Sequence, residues 1–159
     1  MTAIKITHAT LEHDATAAVQ SLIRLNIDSC HAWESGAEQA SDPAVRDLFL
    51  KIALLRRQFA AELQALLRSA GIAPVESGSL DAAFHRWWFT LKSALSGEDF
   101  QDILDESSRY EDDILRRYEL LHRQLGSPGF EDVVSRQFCQ VKAIHQGVRV
   151  WKDAGAAAL

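Results

Sequence analysis

Residues 41–71 read SDPAVRDLFLKIALLRRQFAAELQALLRSAG, and their pattern decides the fold. Leu48, Ile52, Leu55, Phe59, Leu63, Leu66 and Leu67 recur at steps of three and four, the period of one helical face. The start is punctuated: Ser41 can cap, Asp42 suits the positive end of the helix dipole, and Pro43 suits the first turn. The apolar face stops at Gly71. The spacing therefore predicts one long amphipathic helix from Pro43 to just before that glycine.

The same period extends in both directions. Upstream, Ala15, Ala18, Leu22, Leu25, Ser29 and Ala32 form a stripe that Val19, Ile23 and Asn26 widen, fading at Gly36. Downstream, IAPVESGS at 72–79 reads as a loop. A shorter helix then carries Leu80, Ala83, Phe84, Trp87, Trp88, Leu91 and Leu95 and ends at Gly97. A third long segment shows Phe100, Ile103, Leu104, Ser107, Glu111, Ile114, Tyr118, Leu121 and Leu125, and GSPG at 126–129 breaks it. The last shows Phe130, Val134, Gln137, Val141, Ile144, Val148 and Trp151. No segment alternates like a strand, so the fold class is all-α.

Four helices of this length would each span about 40 Å. Short first and last connections predict two antiparallel hairpins. The long middle connection, with its own amphipathic helix, can carry the chain the length of the bundle. One long crossover between two hairpins is the ferritin-like topology; a plain up-and-down bundle with a surface helix is the other layout. The expected domain is residues 10–153, with a short extension at 1–9 and a tail at 154–159.

Composition bounds the function. The 159 residues are 47% hydrophobic and 25% charged, ordinary for one globular domain. With 17 Lys and Arg against 22 Asp and Glu the net charge is -5, which disfavours a nucleic-acid partner. No apolar run approaches 18 residues, so no membrane span is expected. The first residues, MTAIKITHATLEH, lack the pattern of a signal peptide, so a cytoplasmic location is the default expectation. Cys30 and Cys139 lie inside apolar-periodic segments, without CxxC spacing, and read as buried or half-buried thiols.

Function in a bundle lives where polar side chains interrupt the core-facing stripe. Asp28, Arg56, Glu62, Glu111, Gln137 and His145 all do so by helical spacing. Heights measured from the connecting loops place Asp28, Arg56, Glu111 and His145 in one central layer, with Lys142 at its edge and Glu62 roughly two turns away.

A di-iron carboxylate bundle needs Glu from two helices and Glu-x-x-His from the other two. The second helix has Ala65 where Glu62 would need its histidine, and the last helix has Lys142 three residues before His145. A lysine ammonium has no lone pair to give a metal. The preferred reading is therefore a salt-bridged polar layer and no cofactor. The alternative is an iron, manganese or zinc site using Glu62, Glu106, Glu111 and His145. Trp87 and Trp88, beside His85 and Arg86, form an aromatic patch read mainly as packing, or as one wall of an apolar slot for a small molecule.

The stretches DPAVRDLF (42–49), RRQFAAELQ (56–64), SGSLDAAFHRWWFTLKSAL (77–95), ILDESSRYEDDILRRYE (103–119) and QVKAIHQGV (140–148) resemble an uncharacterised bacterial family of ferritin-like four-helix proteins, a domain of unknown function. The most specific part is His85-Arg86 followed by Trp88 and Lys92. Arg56, Phe59, Glu62 and Leu63 match a second motif, and Arg109, Glu111 and Asp112 a third. Tyr110 stands where the family usually has Gly, and Ser108 where it often has Glu. Asp81 and Trp87 occupy positions that are commonly small. The resemblance implies a ferritin-like fold in a bacterial cytosol, with no established activity. Surplus aromatic surface further predicts a homodimer or a protein partner.

Overall fold

The computed structural model describes residues 13–78, 100–124 and 128–157; the side chains of 13, 14, 100–104, 106, 107, 128, 152 and 155–157 lie outside the description. The described chain forms four helices, α1 (His13–Gln39), α2 (Pro43–Ser69), α3 (Phe100–Gln124) and α4 (Pro128–Ala157), with no strand among the described residues. The expected crossover helix with Trp87 and Trp88, and the extension at 1–9, lie outside the described residues. So does residue 79 of the loop. Helix α4 continues to Ala157, past the point where the tail was expected to begin.

The start of α2 differs from its sequence reading by one residue. Asp42 is the N-cap: its side chain accepts a 2.8 Å hydrogen bond from the Ala44 amide. Pro43 at the first helical position makes the residue before it the cap, so Ser41 falls outside. At the other end Gly71 takes φ 77°, a conformation that suits a glycine. There the Ile72 amide bonds back to the Leu67 carbonyl at 2.9 Å. The following loop is tied down by glutamines. Gln20 of α1 donates to the Ala73 carbonyl and accepts from the Val75 amide, and Gln64 of α2 donates to the Val75 carbonyl, each at 2.8 Å.

Side-chain contacts fix the helix directions. Trp33 meets Phe49 and Asn26 meets Arg56, so α1 and α2 are antiparallel. Asn26 meets Tyr118 and Trp33 meets Glu111, so α3 also opposes α1. Tyr118 meets Gln137 and Asp112 meets His145, which makes α4 oppose α3. Helices α2 and α3 therefore point the same way. They sit at opposite corners, since α2 packs on α1 and α4, and α3 on α1 and α4, without close backbone approach to each other.

The core between the helices holds Val19, Leu22, Ile23, Phe59, Leu63, Ile114, Tyr118, Phe130, Val134 and Val141, all without solvent contact or nearly so. Burying each such side chain contributes about 1.5–3 kcal/mol against exposing it. Cys30 is buried, as read from the sequence. Cys139 is not: it lies on the solvent face of α4, where the apolar stripe is narrower than its spacing suggested.

Candidate functional site

The centre of the bundle is polar. Arg56 on α2 is fully buried, and its guanidinium reaches across the bundle axis to Glu111 on α3, also fully buried. The two helices are diagonal, so only a side chain as long as arginine spans the gap. A second guanidinium nitrogen donates to Asn26 Oδ1 on α1 at 3.4 Å. Asn26 Nδ2 donates to the Leu22 carbonyl at 2.9 Å and to the Tyr118 hydroxyl at 2.8 Å. Tyr118 donates in turn to Gln137 Oε1 on α4 at 2.8 Å. Gln137 Nε2 donates to Glu62 Oε2 at 2.8 Å and approaches the Phe59 carbonyl at 3.3 Å. Glu62 also accepts from Arg136 and Gln58, each at 3.0 Å, at the bundle surface.

One continuous chain of hydrogen bonds thus joins all four helices and leads from the axis to solvent. Its members Asn26, Arg56, Glu111, Tyr118 and Gln137 are completely buried. Such networks fix helix register, because slipping one helix would strand several polar groups at once; among the described residues Arg56 Nε finds no acceptor.

Electrostatics follow the same layout. Burial pushes the Glu111 carboxyl above the ordinary range, and Arg56, Trp33 and His145 pull it back without cancelling the effect. Partial burial also pushes Glu62 up, but hydrogen bonds from Gln137, Arg136 and Gln58 outweigh it, so this carboxyl titrates below the usual range. Burial raises the Tyr118 hydroxyl strongly, keeping it a neutral donor. The central charge is balanced, one guanidinium against one carboxylate.

The remaining candidates lie off this axis. Asp28 is buried, but against the loop after α2: a Cβ on Gly78 would lie 1.8 Å from its Oδ1. His145 approaches Asp112 Oδ1 through Nε2 at 2.5 Å, near the surface between α3 and α4. Lys142 is exposed, its ammonium 4.8 Å from the Phe138 ring centroid. Helical spacing alone does not mark Asn26 or Trp33 as site residues, and it places Tyr118 only in an apolar stripe.

The candidate metal donors whose side chains are described each meet another side chain. Among the described residues no three His, Cys, Asp or Glu side chains are grouped to hold an ion. Glu111 is held by Arg56, Glu62 by Arg136 and Gln137, and His145 by Asp112. The Glu106 side chain lies outside the described residues.

A second polar cluster lines a cavity of about 530 Å³ between α1, α2 and the loop, bordered by Asp28, Cys30, His31, Arg57, Gln64 and Glu76. Arg57 pairs there with Glu34. Burial pushes the Cys30 thiol up and Glu34 adds to that, while Arg57 pulls against them. The sulfur is thus a protonated thiol at neutral pH and a poor nucleophile.

Removing the Tyr118 hydroxyl tests the network. Tyr118→Phe leaves the buried Gln137 Oε1 without its donor and is expected to cost about 1–2 kcal/mol in urea unfolding. An unchanged midpoint would mean the hydroxyl contributes nothing net.

A family model described as a domain of unknown function (DUF2383) matches residues 14–124, more than half of the chain, from the second residue of α1 to the last of α3. No curated protein matches the sequence.

Proposed function

The chain belongs to the DUF2383 family, and from that premise we propose a ferritin-like bundle, bacterial and cytoplasmic, that works by self-assembly or by binding another protein rather than by metal redox chemistry. The observation that carries this reading is the Arg56 guanidinium on the bundle axis, bonded to Glu111. In a di-iron bundle the carboxylates of that layer neutralise metal charge. Here an arginine supplies the positive charge, and a fixed cation repels another. The parallel course of α2 and α3 supports the ferritin-like assignment, since it requires one long connection between two hairpins. Among the described residues no helix is long and apolar enough to cross a membrane.

Metal analysis tests the proposal. Protein purified without a tag, then incubated with iron(II), manganese(II) or zinc(II) and desalted, is expected to retain well under about one equivalent per chain, the least a built site would hold. Retention of one or two equivalents, lost in Glu111→Gln or His145→Ala, would overturn it in favour of a metalloprotein using Glu62, Glu106, Glu111 and His145.

A further inference from the structure

Helices α2 and α4 are joined where Glu62 accepts from Arg136 and Gln137. From there toward the start of α2 they enclose an apolar trough of about 360 Å³. That falls within the range of cavities that hold small molecules, about 300–1,000 Å³. Leu48, Ile52 and Leu55 line it from α2, and Ile144 and Val148 from α4. The room comes from Ala143 and Gly147 on the same α4 wall; a Cβ on Gly147 would meet nothing within 4 Å.

Among the described residues only two polar side chains interrupt this lining, Lys51 and Gln140. Lys51 is exposed and makes no ion pair with any described residue. Its stem borders the trough, which leaves the ammonium free to stay in water at the rim. Gln140 stands at the other end. Its Oε1 is buried and finds no donor, and a buried acceptor left without one carries a cost that only a donor relieves. The contact of Gln137 with Glu62 sets Gln140 level with Phe59, so Lys51 and Gln140 are separated by about 12 Å of helix rise.

We propose that the trough binds a medium-chain aliphatic carboxylate with a hydroxyl at its far end. The carboxylate meets Lys51, and the hydroxyl donates to Gln140 Oε1. The alkyl chain between them displaces water from Ile52, Leu55, Ile144 and Val148. An unpaired cation at one end of an apolar wall and an unpaired acceptor at the other call for an anionic head, an apolar middle and a donor tip. The site uses neither the bundle centre nor a second copy of the chain, so it stands apart from the reading above.

Isothermal titration calorimetry on the full chain, with each acid below its micelle concentration, tests the assignment. Decanoate is expected to bind saturably, one per chain. Octanoate should bind on the order of tenfold more weakly, at roughly fourfold for each methylene lost. The ω-hydroxy acid of decanoate's length should bind about two- to tenfold more tightly than decanoate, the net value of one hydrogen bond. Gly147→Leu places its side chain in the trough without a backbone clash and should abolish binding of both acids, while the urea midpoint holds or rises. Lys51→Gln should weaken decanoate about three- to fivefold and leave decanol unchanged. Gln140→Leu should erase the preference for the hydroxy acid. No saturable binding by the wild type, or binding that survives Gly147→Leu, overturns the site. Decanoate indifferent to Lys51→Gln, or decanol weakened equally, overturns the role of Lys51. Equal affinity of the wild type for decanoate and its hydroxy acid overturns that of Gln140.

Discussion

Arg56→Met is expected to lower stability at neutral pH by about 3–5 kcal/mol, the typical cost of stranding a buried charge. Methionine fills most of the volume of the arginine stem, so the loss is not chiefly a cavity. It comes from Glu111, which has no exposure through which to recover water and loses its nearest cation. The double variant Arg56→Met/Glu111→Leu should recover most of the loss, because an apolar pair of similar volume needs no solvation. Urea midpoints of the wild type, both single variants and the double variant complete the cycle. A neutral Arg56→Met would mean that Glu111 is already uncharged and the pair contributes nothing.

The pH dependence of that variant has a definite sign. The Glu111 carboxyl titrates above its ordinary range in the fold because burial disfavours its charge. A carboxyl raised on folding holds its proton more tightly in the native state. Its contribution is therefore fully present below the unfolded pKa, about 4.3, and is lost as pH rises through the higher folded value. Arg56 opposes this in the wild type. Without Arg56 the folded value climbs further, so the stability gap between variant and wild type should be narrow near pH 4 and widen toward pH 8. A gap independent of pH would place the destabilisation in packing instead.

Arg56 and Glu111 were legible in the sequence because each interrupts a long apolar stripe, and loop lengths place them at a common height. Which side of a stripe faces the axis is harder to read. Asp28 and Asn26 are two residues apart on the same widened stripe, yet Asn26 meets Arg56 while Asp28 turns to the loop at Gly78. The choice depends on the order of helices around the bundle, which no single helix encodes. His145 illustrates the same point: its spacing is inward, but it lies on the edge of α4 that borders α3 and so reaches Asp112. Tyr118 was hidden for another reason. Its ring satisfies the apolar period, and only the hydroxyl, invisible to that period, links Asn26 to Gln137. The cap of α2 was read to within a residue, because Ser41 and Asp42 are both competent and proline decides between them.

Gly78→Ala is expected to cost about 1–3 kcal/mol, the range for forcing an added carbon into a filled site. The new Cβ would lie 1.8 Å from Asp28 Oδ1 and 2.8 Å from its Cγ, so one of the two must move. A surface side chain would swing aside at little cost. Asp28 is only 2% exposed and is engaged with its surroundings, so moving it disturbs a buried carboxylate. The backbone is the other choice, but the loop is pinned by Gln20 and Gln64 only a few residues earlier. Asp28→Ala removes both clashing atoms, so Gly78→Ala should cost far less in that background. The coupling read from thermal or urea unfolding of the four proteins should be favourable by about 1 kcal/mol or more, the size expected for residues in contact. Strict additivity would show that Gly78 and Asp28 do not touch in solution, and that the loop after α2 is held by its glutamine contacts alone.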